Sequence, residues 1–358
     1  WTPRVALDEG LRRTAQWVAT LSDAEHAAAT KRDPNVRKKS LSAIIACYKD
    51  AQAIPVMHQR LTETFRRLDI DYEIIFVNDG SPDDSAQVIR ALSEQDPHVI
   101  GISHSRNFGS QMAFRSGMEL ATMDGVVLLD GDLQDPPELI EQFYPRWEEG
   151  FDVVYGRRVK RDMPFLRGLM YKGFYRVFAK FSYIPIPHDA GDFSLMDRRV
   201  VGWLLNCPER DLFVRGLRAY VGFRQTGVDY VRPERMFGRS TNNLFKNIEW
   251  AKKGIFSFSD TPLTMLTTAG IVALGLSTLA AIATALLKLF YPDIAARGAT
   301  TLQILILMFG SANLFAIGLV GEYVAKIMAE VKGRPRLIRA ALIRHGATTE
   351  LLPDGKAR

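Results

Sequence analysis

The chain has 358 residues, long enough for a core of ordinary size plus a second region, with 47% apolar and 24% charged residues. Its two cysteines, Cys47 and Cys207, exclude a disulfide framework and give no metal-ligand spacing. The net charge of +6 suits nucleic acid, an anionic membrane surface or phosphorylated substrates equally. Residues 1–40 are mostly polar, read as an N-terminal helical extension, and show no signal-peptide core. Leu41–Tyr48 is an apolar strand. A helix follows, with Ile54, Met57, Leu61, Phe65 and Leu68 near helical spacing. Tyr72–Val77 is a second strand, closed by the turn signal Asn78-Asp79-Gly80-Ser81-Pro82. Asp83–Leu92 reads as a helix, Val99–His104 as a third strand, Phe108–Met123 as a helix and Gly125–Leu129 as a fourth strand. The alternation predicts an α/β domain with a mostly parallel sheet and helices on both faces.

The fourth strand runs directly into Asp130-Gly131-Asp132-Leu133-Gln134-Asp135-Pro136-Pro137. Two carboxylates one residue apart, at the end of a buried strand, can share one hard cation, and such a cation can hold a diphosphate. In parallel sheets ligands sit at the carboxyl ends of the strands. Those ends carry Tyr48 and Asp50, Asp79, and the pair Asp130 and Asp132. The first strand is not followed by a G-x-G-x-x-G, and there is no Walker-type lysine loop. A dinucleotide oxidoreductase and a P-loop enzyme are therefore not expected.

The last third changes character. Residues 263–290 contain no charge except Lys288, and residues 301–325 none except Glu322. Each exceeds the roughly 20 residues that a bilayer core needs. Lys246, Lys252, Lys253, Lys326, Lys332, Arg334, Arg336 and Arg339 flank the two segments. By the positive-inside rule this predicts a hairpin of two transmembrane helices within 263–325, with both flanks cytoplasmic. Residues 326–358 read as a cytoplasmic tail. Asn243–Phe258, within 241–262, reads as an amphipathic helix lying in the membrane interface, and Phe165–Ile186 is a second candidate.

Taken together, Val77-Asn78-Asp79-Gly80-Ser81-Pro82-Asp83, Ser105-Arg106-Asn107-Phe108-Gly109, the Asp130–Pro137 motif, Gly156-Arg157-Arg158, Arg235-Met236-Phe237-Gly238-Arg239-Ser240, and Gly321-Glu322-Tyr323 with Val331-Lys332-Gly333-Arg334-Pro335 resemble the family 2 glycosyltransferases of GT-A fold. Within them the chain is similar to the polyprenyl-phosphate glycosyltransferases, the group of dolichyl-phosphate mannose synthase and the bactoprenol glucosyltransferases. The likeness runs from about Leu41 to Arg336, with 41–240 as the catalytic domain. One departure is Lys49-Asp50, where the family usually has Asn-Glu.

The resemblance implies inverting, metal-dependent transfer of a sugar from a nucleotide-sugar donor, UDP-glucose favoured, to a polyprenyl phosphate such as undecaprenyl phosphate. This would occur at the cytoplasmic face of the cell's inner membrane. It implies Mg²⁺ or Mn²⁺ on Asp130 and Asp132, with Gln134 as a third oxygen ligand. Tyr48, Asp50, Asp79, Asn107, Gly109, Asp130, Arg235 and Ser240 would bind the donor. Arg157, Arg158 and Arg167 would hold the acceptor phosphate through forked guanidinium contacts. Asp132 and Asp192 would be catalytic, Asp192 as an acceptor-side carboxylate. Membrane lipids are expected partners and nucleic acid is not. A homo-oligomer is expected, a tetramer by family likeness, with the tail after Gly333 as a contact between copies. The competing readings are a processive polysaccharide synthase, which would carry a Gln-x-x-Arg-Trp signature not found here, and a nonenzymatic membrane-anchored scaffold.

Overall fold

The computed structural model describes residues 38–159, 190–210, 212–233, 236–237, 261–290 and 299–352. The sheet is built from β1 (Leu41–Cys47), β2 (Tyr72–Asn78), β3 (Val99–His104), β4 (Gly125–Asp130), β5 (Val153–Arg158), β6 (Ala190–Asp197), β7 (Gln225–Tyr230), β8 (Arg339–Arg344) and β9 (Ala347–Glu350). Their order is β7-β5-β6-β4-β1-β2-β3-β8-β9. Every residue of β1 and β2 is buried. That burial explains why these strands read as continuous apolar runs: helices cover both faces. Ala43, Ile45 and Cys47 enter the core shared with α1 (Ala53–Leu68) and α4 (Ile140–Glu148). Ile44 and Ala46 enter the opposite core, with α3 (Ser110–Leu120), α5 (Arg198–Asn206) and α6 (Val214–Tyr220). A further helix, α2 (Ser85–Gln95), links β2 to β3.

β1 pairs in parallel with both β2 and β4, so the strand order reverses at β1. Such a reversal opens a crevice at the carboxyl ends of the two central strands. Asp130 pairs with Ala46 at that end. Beside it, a Cβ on Gly131 would lie 2.9 Å from the Ala46 carbonyl oxygen and 3.0 Å from an Asp50 carboxylate oxygen. The mostly parallel sheet, as expected, carries antiparallel strands in two places. β6 runs antiparallel between β4 and β5. At the far edge β8 runs antiparallel to β3 and turns back through a hairpin into β9.

That hairpin lies in the stretch expected to be a cytoplasmic tail and a contact between copies; here it extends the chain's own sheet. The turn is His345-Gly346, with φ of 48° and 72°. Two successive positive φ values are what a two-residue hairpin needs to match strand twist. Arg339 fixes the hairpin to α3 through Ser116 Oγ, at 2.9 Å, and Glu119.

Two long helices complete the described chain, α7 (Thr261–Phe290, 30 residues) and α8 (Ala299–Val331, 33 residues). They carry exposed Ile271, Leu276, Leu279, Leu314, Phe315 and Ile317. Among the described residues no helix is long and apolar enough to cross a membrane. The spanning hairpin therefore stands as a proposal below. The end of α8 is tied to the loop before α6. The Arg210 backbone N–H donates to Glu330 Oε1 at 2.6 Å, its guanidinium to the Arg334 carbonyl at 2.8 Å, and Arg336 to the carbonyls of Cys207 and Pro208. The interfacial helices expected over Asn243–Phe258 and Phe165–Ile186, and nearly all of the N-terminal extension, lie outside the described residues.

Gly80 is the position where the β2 turn allows no other residue. Its φ is 61°, and an added Cβ would stand 2.4 Å from the Arg106 carbonyl carbon and 2.8 Å from the Asn107 nitrogen. Gly80→Ala is expected to combine left-handed backbone strain with a clash against fixed main chain. The cost should be on the order of 2–3 kcal/mol, read as a lowered Tm.

Candidate active site

The carboxyl ends of β1, β2 and β3 supply a set of interlocked turns. The Asp50 carboxylate accepts the Tyr48 N–H at 2.9 Å, and its carbonyl caps the start of α1. Asn78 forms the side-chain turn after β2 by accepting the Ser81 N–H at 3.0 Å. Asp79 is 2% exposed and turned inward. It accepts the N–H groups of Phe108 at 2.9 Å and Gly109 at 2.7 Å, and pairs with buried His104 at 2.8 Å. Asn107 Oδ1 accepts the Gly109 N–H as well. Asp79, Asn107 and Gly109, all expected at the donor, thus form one locked loop. Asp83 ties it to the first strand end, accepting from Ser81, Ser85 and the Ala51 N–H, and these bonds outweigh burial to hold its carboxyl low.

β4 delivers Asp130, Asp132 and Asp135 on a turn in which buried Leu133 takes φ 61°. Asp132 accepts the Gln134 N–H at 3.1 Å, and the Gln134 side-chain amide donates to the Pro233 carbonyl at 3.2 Å. That bond fixes the acid turn to the segment after β7. Asp135 is 1% exposed. It accepts the Tyr230 hydroxyl at 2.6 Å and faces Arg158 at 3.7 Å. The carboxyl of Asp130 is raised well above the ordinary range, first by burial and then by Asp135, Asp192 and Asp132, against an opposing pull from Arg232. With 35% of its side chain open, it is still reachable from solvent.

Asp192, at the start of β6, sits close enough to act on Asp130, and it is the better neutralised of the two. Its carboxylate accepts from Gln111 Nε2 at 3.1 Å and from the Arg215 guanidinium at 3.1 and 3.4 Å. Burial pushes this carboxyl up, but Arg215, with Arg218 and Gln111, brings it below the usual range. Gln111 also accepts the Val214 N–H at 2.8 Å, which fastens α6 in place. Arg218 is 1% exposed, donates to the Gly191 carbonyl at 3.3 Å and lies over the Tyr155 ring; burial drops its pKa to about 10.

Sequence reasoning missed Gln111, Arg215, Arg218 and Arg232. The signal was present in Phe213-Val214-Arg215-Gly216-Leu217-Arg218, two arginines three apart in an apolar stretch. Arg232 stands directly before Pro233, at a strand's carboxyl end.

Arg157 and Arg158, both expected at the acceptor phosphate, face different surroundings. They are successive residues of β5, so their side chains leave opposite faces of the sheet. Arg157 is half exposed and paired with Asp229. Arg158 turns inward to Asp135 and donates to the Tyr230 hydroxyl at 3.1 Å, and its pKa is raised despite burial. Arg167, Arg235 and Ser240 lie outside the described residues.

The donor set fits a hard divalent cation. Asp130 and Asp132 offer carboxylate oxygens, and the crowding of like charges at Asp130 calls for positive charge there. Among the described residues no group of three Asp, Glu, His or Cys side chains is arranged to hold a metal. An ion held by this pair would take the rest of its coordination from ligand and water oxygens.

The model of the glycosyl transferase family 2 matches residues 42–203. The chain is 36% identical over 299 residues to the SfII prophage-derived bactoprenol glucosyl transferase of Shigella flexneri, covering 83% of this chain and 96% of that protein. The chain belongs to glycosyl transferase family 2. It is also 40% identical over 298 residues to the uncharacterized glycosyltransferase YkcC of Bacillus subtilis (strain 168), covering 83% and 92%. Among solved structures, mannosyl-3-phosphoglycerate synthase from Rubrobacter xylanophilus aligns with a TM-score of 0.43 at 16% identity, over 65% of this chain and 75% of that one. The protein is thus a glycosyltransferase, and the resemblance drawn from its motifs holds over most of its length.

In this glycosyltransferase the two neighbouring arginines should behave oppositely. Arg158→Met leaves Asp135 buried without its guanidinium, a loss of about 3 kcal/mol. Arg157→Met removes an exposed pair with Asp229 and should change stability by less than about 1 kcal/mol. Thermal unfolding of the two variants side by side checks the assignment.

Proposed function

We propose that the protein transfers a sugar from a nucleotide-sugar, UDP-glucose favoured, to a polyprenyl phosphate at the cytoplasmic face of a membrane, with inversion at the anomeric carbon. The observation that carries this reading is the acid pair at the strand-order reversal, in a chain similar over most of its length to bactoprenol glucosyl transferases. Asp130 and Asp132 would hold Mg²⁺ or Mn²⁺. When bound, the ion would neutralise charge on the departing nucleoside diphosphate. The locked loop around Asp79, with Tyr48 and Asp50, forms the wall for the base and ribose. Arg235 and Ser240 would meet the diphosphate, and Arg157 and Arg167 the acceptor phosphate.

A phosphate monoester has a second pKa of about 6, so the acceptor oxygen arrives largely ionised. The site then has little need of a general base, and Asp192 is poorly suited to be one. Two guanidinium contacts and an amide hold it as a carboxylate. Its folded pKa is depressed, so it stays ionised from about pH 5 to 8. Its role is to orient donor sugar or acceptor by accepting hydrogen bonds.

The membrane reading rests on the sequences of α7 and α8. Residues 263–290 and 301–325 hold one charge each, and large apolar side chains stand exposed along both helices. Exposed apolar surface of that extent calls for lipid around it. The tie between α8 and the 207–210 loop would then hold the site beside the bilayer. A nonenzymatic scaffold would need neither the acid pair nor the arginine-held Asp192.

The direct test is transfer of label from a panel of radiolabelled nucleotide sugars to undecaprenyl phosphate, with and without Mn²⁺. Label reaching the lipid phase from one donor, in the presence of the ion, is the expected result; no transfer from any donor would sink the proposal. Asp132→Ala should lower turnover by at least about 10²-fold while leaving the fold intact. For Asp192→Asn we expect a rate loss of roughly 10²-fold. The fall in rate below about pH 6, which belongs to the acceptor phosphate, should persist in that variant. Disappearance of that limb would instead make Asp192 the proton acceptor.

A further inference from the structure

One cation already faces the acid pair. The Arg232 Nη2 lies 3.8 Å from Asp130 Oδ2 and 3.9 Å from Asp132 Oδ2, and its Nε lies 3.9 Å from Asp135 Oδ1. These are charge contacts beyond hydrogen-bond length. The Nε is buried and without a hydrogen-bond partner, while a quarter of the side chain, 26%, is exposed. The other carboxylates nearby are satisfied by directed bonds, Asp135 from Tyr230 and Asp192 from Arg215 and Gln111. Among the described residues, Arg232 faces both members of the pair at charge-contact distance without hydrogen-bonding them. Its backbone is fixed, because the next residue's carbonyl accepts from Gln134 and the preceding strand is held by Tyr230.

We propose that Arg232 is an exchangeable counter-ion for the metal pair. It neutralises Asp130 and Asp132 in the resting enzyme, yields those oxygens to the divalent cation, and turns its freed donors to the diphosphate that arrives with it. The inference rests on the metal-dependent reading above. A guanidinium facing the same two oxygens as a doubly charged ion opposes that ion strongly at this separation. Metal would therefore bind weakly until a diphosphate supplies negative charge for Arg232 to move to. The enzyme thus takes up its cation together with its donor rather than before it. Loss of a hydrogen bond is no obstacle to the movement, since none to the pair is made, and the fork geometry of arginine suits phosphate oxygens.

The test uses full-length protein in detergent and Mn²⁺ titrated by electron paramagnetic resonance, with and without UDP-glucose. Arg232→Gln should bind Mn²⁺ about tenfold more tightly than wild type in the absence of nucleotide. With UDP-glucose present that advantage should vanish or reverse, and the KM for the donor should rise. Arg232→Lys keeps the charge and should keep the weak resting affinity. Arg232→Met serves the same comparison should the glutamine variant fail to fold. Resting Mn²⁺ affinity equal to or weaker than wild type in the neutral variants would overturn the role of Arg232 while leaving the metal site in place. Absence of Mn²⁺ binding in every variant, even with UDP-glucose, would overturn the metal site and the exchange together.

Discussion

Repulsion among carboxylates is the constraint around which this edge of the sheet is built. Asp130, Asp132, Asp135 and Asp192 converge there, and burial strengthens every term between them. The chain resolves the conflict unevenly. Asp135 is neutralised by Arg158 and a tyrosine hydroxyl, and Asp192 by Arg215, Arg218 and an amide. Asp192 is bonded directly by its arginine, whereas Asp135 meets Arg158 at charge-contact distance and takes its hydrogen bond from Tyr230. Asp130 and Asp132 face Arg232 only at charge-contact distance. On the metal-dependent reading proposed above, Asp130 and Asp132 are the acids that would meet the cation, and the like charge gathered at Asp130 would favour it.

The topology explains why so few residues suffice. Reversal of strand order at β1 brings the ends of β1 and β4 together, and Gly131 lets the acid turn press against Asp50 and the Ala46 carbonyl. β6 enters from the opposite direction, so its first residues, Ala190 to Asp192, arrive at the same edge where β4 and β5 end. An antiparallel strand here is the means by which Asp192 comes to face Asp130 across the edge. An all-parallel sheet would have placed the start of that strand at the far end.

Much of this was legible in the sequence because burial on both faces leaves a plain record. β1 to β4 appear as apolar runs, and the punctuation at the ends of β1, β2 and β4, Lys49-Asp50, Asp79-Gly80 and Asp130-Gly131, marks the ligand edge. What was hidden depends on tertiary contact. The opposite facing of Arg157 and Arg158 required knowing that both lie within β5. The job of Asp79 in holding the Phe108–Gly109 loop spans 29 and 30 residues and has no local signature. Arg215 and Arg218 look like surface charge until α6 is packed against Gly191. The β8–β9 hairpin was masked by its position after two apolar helices, where a tail is the natural expectation, although His345-Gly346 between alternating residues carried the turn signal.

The same contacts join the site to the surface on which its acceptor would arrive. α8 ends at Val331, and within five residues Arg336 is bonded to the Cys207 and Pro208 carbonyls, while Glu330 and the Arg334 carbonyl hold Arg210. Arg115, on α3, donates to the Leu205 carbonyl in the last turn of α5 and to the Cys207 carbonyl of the same loop. That loop leads directly into α6, and α6 carries the two arginines that hold Asp192. On the spanning reading the stand-off between bilayer and sugar is therefore set by a short chain of hydrogen bonds rather than by a flexible linker. A lipid phosphate cannot leave the interface, so the acid edge must come to it at a fixed height. A rigid joint at the end of α8 does this at no entropic cost on each turnover.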